Sequence, residues 1–209
     1  MTIEIVSTLS DIDPPQWNRL GGGHPFLRHE FLHALHESGC ASEKTGWTPR
    51  YLVAFDAKLG KRLTGAMPLY VKSHSRGEYV FDWAWADAYQ RNGLDYYPKL
   101  LSAIPFTPVT GGRLLARDAA ARSALIDALG TMQKNYGVSS THLLDPPDSE
   151  AVMLDKAGFI LRTGVQFHWI NSGYRHFEDF LSALGQKKRK NIRAERRKVQ
   201  EAGITFRRV

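Results

Sequence analysis

Residues 51–71 read YLVAFDAKLGKRLTGAMPLYV and contain two apolar runs, at 51–55 and 63–71. Both runs are rich in β-branched and aromatic residues, and a short charged stretch at 56–62 separates them. This pattern predicts a β-hairpin. The fold class then depends on which elements surround the hairpin along the chain.

The apolar pattern predicts both helices and strands on either side of the hairpin. Asp13 is a predicted N-cap for a helix that begins at Pro14. Helices are predicted at residues 14–20, 26–38, 97–104, 118–136, 150–157, 177–184 and 187–202. Further strands are predicted at residues 3–6, 79–85, 140–144, 159–170 and from 204 onward. This order of elements is typical of a mixed α/β protein.

The composition excludes several classes of protein. The chain has 209 residues, of which 43% are hydrophobic and 23% charged, so it is not a disordered chain, a collagen or a coiled coil. Cys40 is the single cysteine, which excludes an internal disulfide and a multi-cysteine zinc site. No apolar run approaches the roughly 18–20 residues of a membrane span, and the N-terminus does not read as a signal peptide. We therefore expect a cytoplasmic protein.

The positive charge is concentrated near the C-terminus. Residues 185–209 hold ten Lys and Arg residues against two Glu, whereas the rest of the chain is close to neutral. The predicted helix at 187–198 has a thin apolar stripe with cations around it. Such a helix could bind the phosphates of RNA, of a nucleotide or of a lipid carrier. A solvated charged surface is the alternative, and the sequence leaves both open.

A histidine motif lies on the predicted helix at 26–38. Residues 29–33 read HEFLH, the spacing with which zinc peptidases hold their metal. The extended form with a glycine and a third histidine does not follow. Phe31 and Leu35 take the buried face of the helix, so we favour a histidine-rich, partly exposed helix and predict no metal site.

A second motif, QRNGLD at residues 90–95, stands between a predicted strand and a predicted helix. Acyl-CoA transferases of the GNAT superfamily place a Q/R-x-x-G-x-G/A loop at such a junction, where backbone N–H groups and a helix N-terminus hold a pyrophosphate. Gln90, Arg91 and Gly93 fit that pattern and are candidate cofactor-binding residues. Asp95 replaces the last small residue and adds a negative charge, so an ordinary loop with a turn glycine remains the alternative.

Aromatic and acidic residues alternate in the predicted strand at 79–85. The alternation places Phe81, Trp83 and Trp85 on one face and Asp82 on the other. Together with Asp87, these residues could form a cleft that contains a carboxylate of raised pKa. A core strand with exposed acids fits the same pattern, and both interpretations stay open.

Several segments together resemble the FemAB-like family of the GNAT superfamily, whose members are described as peptidoglycan biosynthesis/recognition proteins of bacteria. The resemblance covers most of the chain. It is carried by HPFL at 24–27, ESG at 37–39, TGW at 45–47, GAMPLY at 65–70, SHS at 73–75, GEYVFDWAWADAY at 77–89, YYPKL at 96–100, PFTPVTG at 105–111 and RKNIR at 189–193.

The resemblance implies an architecture. Members of this family resemble two GNAT-like domains in one longer chain, each with a mixed, mainly antiparallel central sheet flanked by helices. Residues 1–165 would form the first domain. Residues 166–209 would form the opening strand and basic helices of a second, apparently incomplete one. A cut edge strand at 204–209 could pair with another copy of the chain to form a homo-oligomer.

The resemblance also implies acyl or aminoacyl transfer to a small-molecule or peptide amine. Acyl-CoA or aminoacyl-tRNA would be the donor, with no tightly bound cofactor. From chemistry and motif position, the candidate bases are Asp82, Asp87 and Glu78, and the candidate proton donor is Tyr97. The candidate substrate-binding residues are Trp83, Trp85, Lys99, Lys187, Arg189 and Arg193.

A non-catalytic recognition module is the alternative. It would hold an anionic ligand, such as a cell-wall precursor, a nucleotide or a tRNA, through the cleft and the basic helix. Asp95 in the loop at 90–95 favours this alternative for the first domain.

Overall fold

The computed structural model describes residues 1–56, 60–80 and 82–207. The chain divides into two compact units, Met1–Leu161 and Arg162–Val209. This division lies four residues before the predicted boundary at 165/166. That the second unit opens a second GNAT-like domain stays a prediction.

The predicted hairpin is at the centre of the first sheet. Strand β3 (Tyr51–Asp56) pairs antiparallel with β4 (Arg62–Met67). Strand β1 (Thr2–Val6) lies against β3, and β7 (Leu115–Ala116) lies against β4, both antiparallel. The strand order is β1-β3-β4-β7.

The same hairpin continues into a second sheet. Its strands are β2 (Trp47–Pro49), β5 (Tyr70–Lys72), β6 (Lys99–Ser102) and β8 (Thr141–Leu143), in the order β2-β5-β6-β8. Only the β6–β8 pair in this sheet is parallel among the strands that the structure describes. Pro49 and Pro68 interrupt the two long strands because proline cannot donate to a ladder. Arg50 N nevertheless donates to Leu69 O at 2.8 Å across the junction.

Helices flank the sheets. Asp13 caps α1 (Pro14–Leu20) by accepting from Gln16 N at 3.2 Å, and Asp118 caps α4 (Ala119–Tyr136) by accepting from Ala121 N at 2.9 Å. A 3-10 turn, Pro25–Leu27, precedes α2 (His29–Glu37), so the helix predicted at 26–38 is divided. The helices are α1 (Pro14–Leu20), α2 (His29–Glu37), α3 (Trp83–Arg91), α4 (Ala119–Tyr136), α5 (Asp148–Lys156), α6 (Phe177–Ser182) and α7 (Gln186–Glu201).

The hydrophobic core lies on both faces of the hairpin. Tyr51 and Val53 of β3 pack with α1 and α2 on one face. Leu52 and Ala54 pack on the other face with Leu125 and other residues of α4. A strand that is buried on both faces has no polar side, which explains the continuous apolar run in the sequence. The prediction of a mixed α/β fold with a mainly antiparallel sheet and flanking helices is confirmed, with the sheet divided in two.

Two secondary-structure predictions in the middle of the chain are wrong. Most of the predicted strand at 79–85 is not a strand, because α3 begins at Trp83. Its aromatic alternation falls on a helix, where Ala84, Ala86 and Ala88 favour helical backbone. The predicted helix at 97–104 contains strand β6 instead. Phe81, which was predicted to share a face with the tryptophans, lies outside the described residues.

The strands predicted near the C-terminus are also absent from the part of the chain that the structure describes. Residues 159–170 form no strand, and Ile160 and Phe167 are 96% and 97% exposed. Residues 204–207 form no strand either, and 208–209 lie outside the described residues. Residues 204–207 therefore pair with no described strand of this chain, and the homo-oligomer stays a prediction. Within the described residues, no helix is long and apolar enough to cross a membrane.

Candidate functional site

Two buried lysines lie side by side on neighbouring strands of the second sheet. The register of β5 and β6 pairs Lys72 with Lys99, and their side chains are 0% and 1% exposed. Like charges directly opposite each other destabilise a sheet, and a buried charge without a partner costs several kcal/mol. The folded chain must therefore supply acids at this position.

The segment between β5 and β6 supplies these acids. Lys99 Nζ donates to Asp82 Oδ2 at 2.6 Å and to Glu78 Oε2 at 2.9 Å. Both carboxylates are almost completely buried, with side chains 1% and 2% exposed. Charge-assisted hydrogen bonds of this length are among the strong ones in proteins, and they fix the ammonium between the two acids.

A chain of hydroxyl groups leads to the carboxylates. Ser75 Oγ and Tyr96 Oη each donate to Asp82 Oδ2 at 2.8 Å. Lys99 Nζ donates to Ser75 Oγ at 2.9 Å, and Ser75 Oγ lies 2.7 Å from Tyr97 Oη. Tyr97 is only half-buried, so the hydrogen bonds run from near the surface to the buried acids. We call this group the ion cluster; its members are Lys72, Ser75, Glu78, Asp82, Tyr96, Tyr97 and Lys99.

Lys72 is held less tightly than Lys99. Its Nζ lies 3.7 Å from the centroid of the Trp47 ring, 4.0 Å from Glu78 Oε1 and 3.3 Å from the carbonyl oxygen of Arg76. Among the described residues, Glu78 Oε1 and Asp82 Oδ1 are buried and have no hydrogen-bond partner. Each carboxylate thus keeps one oxygen that can still accept a proton or a hydrogen bond.

The cluster moves the pKa values of its members in different directions. Burial lowers the pKa of Lys72 to about 7 and raises the pKa of Glu78. Burial also pushes the pKa of Asp82 upward, but the hydrogen bond and charge of Lys99 outweigh it, and this pKa is lowered. Burial and then the hydrogen bond to Asp82 raise the pKa of Tyr96. Glu78 is therefore the more basic of the two carboxylates.

The structure brings together some of the predicted site residues. Glu78, Asp82, Tyr97 and Lys99 all belong to the ion cluster, although Lys99 pairs with acids rather than standing ready for an anion. Lys72 was not among the residues predicted from the sequence. A lysine within each of two apolar strands was the available signal, because lysine is almost never fully buried unless it is paired.

The other aromatic and acidic candidates lie on α3, outside the cluster. Asp87 is exposed and pairs with Arg91 one helical turn away. Trp83 and Trp85 are 60% and 53% exposed. Two positions apart on a helix, they do not share a face, in contrast to the strand that was predicted. Helix α3 therefore contributes exposed rings and an exposed carboxylate, and none of its residues is buried.

The predicted phosphate loop at 90–95 does not fit a pyrophosphate. Gln90 and Arg91 form the last turn of α3 instead of preceding a helix. The backbone N–H groups of Asn92, Gly93 and Leu94 donate to carbonyl oxygens of that helix. These amides are not available to a phosphate, and the C-terminal end of a helix carries the negative end of its dipole. The geometry on which the predicted cofactor-binding role rested is absent.

The histidine motif is part of the core and of a surface network. His29 is 5% exposed, and its Nε2 lies 2.8 Å from the carbonyl oxygen of Leu9. Glu30 accepts hydrogen bonds from Asn18 and Arg28. The glutamate and one histidine of the motif thus have structural partners. Across residues 1–56, 60–80 and 82–207, no group of three or more His, Cys, Asp and Glu side chains is arranged to hold a metal ion.

The basic helix α7 has no buried residue. Arg193 pairs with Glu178 of α6 at 2.6 Å, and Arg196 lies 4.4 Å from the Phe177 ring centroid. Lys187 is exposed and Arg189 partly so. An anion-binding role for Lys187, Arg189 and Arg193 stays a prediction.

The chain is similar to known proteins at the level of a family and of a fold. The model of the FemAB-like family, described as peptidoglycan biosynthesis/recognition, matches residues 8–209. Among solved structures, the chain is similar to an aminoglycoside antibiotic 6'-N-acetyltransferase, AAC(6')-IG, from Acinetobacter haemolyticus. The identity is 14%, the TM-score is 0.45, and the match covers 82% of this chain and 99% of that one. No curated protein matches the sequence.

Proposed function

We propose, since this chain belongs to the FemAB-like family, that it takes part in the transfer of an acyl or aminoacyl group to an amine. The ion cluster would be its acid–base centre. The acceptor would be a small-molecule or peptide amine, and acyl-CoA or aminoacyl-tRNA would be the donor. Both donors occur in the cytoplasm, the compartment expected from the sequence.

The chemistry of this transfer requires proton movement. The lone pair of a neutral amine attacks the carbonyl carbon of a thioester or ester. A C–N bond forms, and the C–S or C–O bond breaks. The attacking nitrogen must lose a proton to a base, and the leaving thiolate or alkoxide must gain one. An enzyme for this step needs a group whose pKa lies near the working pH.

The hydrogen-bonded chain from Tyr97 to Glu78 is the observation that carries the proposal. Tyr97 Oη lies 2.7 Å from Ser75 Oγ, which donates to Asp82. Lys99 Nζ donates to both Ser75 Oγ and Glu78 Oε2 at 2.9 Å. A proton can pass from Tyr97 to Ser75 and on to Lys99 as Lys99 gives one to Glu78, while Asp82 stays ionised. The buried acids then need no direct contact with the substrate.

The pKa shifts favour different roles for the two acids. Glu78, whose pKa burial raises, would accept the proton of the attacking amine. Asp82, whose pKa is lowered, would stay ionised and hold Ser75 and Lys99 in place. Tyr97 would be the member that meets the substrate. Trp83 and Trp85, exposed on the neighbouring α3, are the candidate contacts for the acceptor. Lys187, Arg189 and Arg193 of the second unit stay candidate contacts for an anionic ligand.

The test is a turnover assay with acetyl-CoA and a panel of amines that includes glucosamine and lysine, read out as thiol release. We expect Tyr97→Phe and Glu78→Gln each to lower kcat by about 10²-fold or more, the usual contribution of general acid–base catalysis. Glu37→Gln, an exposed change on α2, is the matched control and should leave kcat unchanged.

Equal turnover by the wild type, Tyr97→Phe and Glu78→Gln would contradict the proposal. A loss in Asp87→Asn without a loss in Glu78→Gln would move the base to α3. A folded chain that binds an anionic ligand without any turnover would instead favour the recognition module.

A further inference from the structure

Three arginines from three different elements line one depression of the surface. Its volume is about 330 Å³, and it lies where α1, the start of β4 and the end of β7 meet. Arg19 belongs to α1, Arg62 to β4, and Arg117 follows β7. Among the residues that the structure describes, none of those that line this depression is acidic and none belongs to the ion cluster.

Hydrogen bonds to β4 hold the walls of the depression in place. Gln16 Oε1 accepts from Leu63 N at 2.9 Å, which leaves the amide nitrogen of the same side chain as a donor. Arg117 N donates to Thr64 O at 2.9 Å. Helix α1 and the backbone of Arg117 are thus both hydrogen-bonded to β4, the strand that carries Arg62. The three arginines thus line the depression from elements that are hydrogen-bonded to one another.

Their charge is only partly compensated. Arg117 pairs with Asp118 at 3.0 Å, and Asp118 also caps α4. Among the residues that the structure describes, neither Arg19 nor Arg62 has a carboxylate within ion-pair distance. Asp56 is the partner of Arg62 in the strand register but does not line the depression. The residues that line the depression thus carry three positive charges, one of which is paired with Asp118.

We infer that this depression binds the diphosphate group of a small molecule. A guanidinium donates two parallel hydrogen bonds to phosphate oxygens, and a diphosphate offers oxygens on two phosphorus atoms to several arginines at once. Its negative charge is opposite in sign to the charge of the three lining arginines. A single carboxylate can satisfy only one guanidinium in this manner. The depression is within the size range of small-molecule sites in proteins.

The inference is independent of the proposed acyl transfer, since none of its residues belongs to the ion cluster. The diphosphate site and the acyl transfer would be linked only if the ligand is a nucleotide-linked donor such as acyl-CoA. In that event the depression would bind the pyrophosphate of the donor, which the loop at 90–95 cannot do. A free diphosphate or an unrelated nucleoside diphosphate would leave the acyl transfer unaffected.

The experiment is a calorimetric titration of the 209-residue chain at low salt with inorganic pyrophosphate, inorganic phosphate, ADP and acetyl-CoA. Pyrophosphate should bind saturably and at least about tenfold more tightly than phosphate. Arg62→Gln and Arg19→Gln should each weaken that binding by about tenfold or more, the loss expected for one bidentate pair. Both arginines are exposed, so the variants should keep the wild-type circular dichroism spectrum and melting curve. Tighter binding of ADP or acetyl-CoA than of pyrophosphate would identify a nucleotide-linked diphosphate.

Arg28→Gln, a change of an exposed arginine outside the depression, is the matched control and should leave pyrophosphate affinity unchanged. Arg189→Gln tests the rival cluster of cations on α7. The inference is overturned if pyrophosphate does not bind saturably, if it binds no better than phosphate, or if Arg189→Gln weakens binding while Arg62→Gln does not.

Discussion

Two ion pairs of this chain have the same length and opposite surroundings. Lys99 Nζ lies 2.6 Å from Asp82 Oδ2 between β6 and the segment before it, where both side chains are at most 2% exposed. Arg193 Nη2 lies 2.6 Å from Glu178 Oε2 between α7 and α6, where the side chains are 54% and 60% exposed. The distances alone would assign the two pairs equal importance.

The two ion pairs differ in how deeply they are buried. Water solvates the exposed pair whether or not it forms, so its net contribution is small. The buried pair has lost that water, and each charge depends on its partner and on further hydrogen bonds. A buried pair therefore adds little stability relative to apolar residues, yet breaking it leaves a charge that nothing compensates. The comparison predicts large effects at one pair and small effects at the other.

The largest effect is expected at Lys99. The variant Lys99→Met keeps most of the side-chain volume but leaves Asp82 and Glu78 buried without their shared ammonium. We expect the free energy of unfolding to fall by about 3–5 kcal/mol, measured by urea denaturation. Lys187→Met, the same change on the exposed face of α7, should shift it by less than about 0.5 kcal/mol.

The double variant Lys99→Met, Asp82→Leu sharpens this test. Removal of one acid together with the ammonium should restore part of the lost free energy, since fewer unpaired charges stay buried. If Lys99→Met and Lys187→Met lose the same amount, burial does not separate the two pairs, and the comparison fails.

The next effect concerns pH. The pKa of Lys72 falls from 10.5 to about 7 on folding. Between these values the unfolded chain holds more protons than the folded chain, so stability should rise with pH, by up to about 1.4 kcal/mol per pH unit. Below pH 7 both states are protonated, and the buried charge carries its full cost. Urea denaturation at several pH values from 7 to 9 measures this slope.

Lys72→Met is the reference for that measurement. The variant should lack the Lys72 contribution, so the gap in stability between it and the wild type should change steadily with pH. Glu78, whose pKa is raised, contributes a slope of opposite sign and cannot produce the same rise. Parallel curves for the two proteins would show that Lys72 keeps an ordinary pKa.

The smallest effect is expected at Arg193. Arg193→Ala should lower the free energy of unfolding by less than about 1 kcal/mol, and added salt should shrink the difference further. The measurement is urea denaturation at low and high salt. A loss as large as that of Lys99→Met would mean that solvent does not weaken the pair between α6 and α7.

The sequence predicts most of the first unit because local chemistry decides it. The cap at Asp13, the helix after Asp118 and the hairpin at 51–71 all follow from near neighbours along the chain. The segment from 79 to 104 does not. Its aromatic and alanine residues fit a strand or a helix, and only the pairing of β6 with β5 and β8 selects between them. Contacts between distant residues are not visible in a local pattern.

The site shows the same division. Glu78, Asp82 and Tyr97 were predicted from their chemical type and their place in a motif. Lys72 was not, because its role depends on the residue that lies across the sheet from it. The loop at 90–95 was misjudged for a related reason. The amides of a Q-x-x-G motif bind phosphate only when they are free, and here the end of α3 uses them.

The pairing of Lys72 with Lys99 also fixes how two very short strands align. Strands β5 and β6 have only three and four residues, and apolar residues occur on both of their faces. Hydrophobicity alone therefore hardly distinguishes one alignment from the next. A shift of β6 by one residue would turn Lys99 to the opposite face of the sheet from Lys72 and leave Glu78 and Asp82 buried without their shared ammonium. Every other alignment of the two strands would bury unpaired charges, so the charged residues favour the observed alignment.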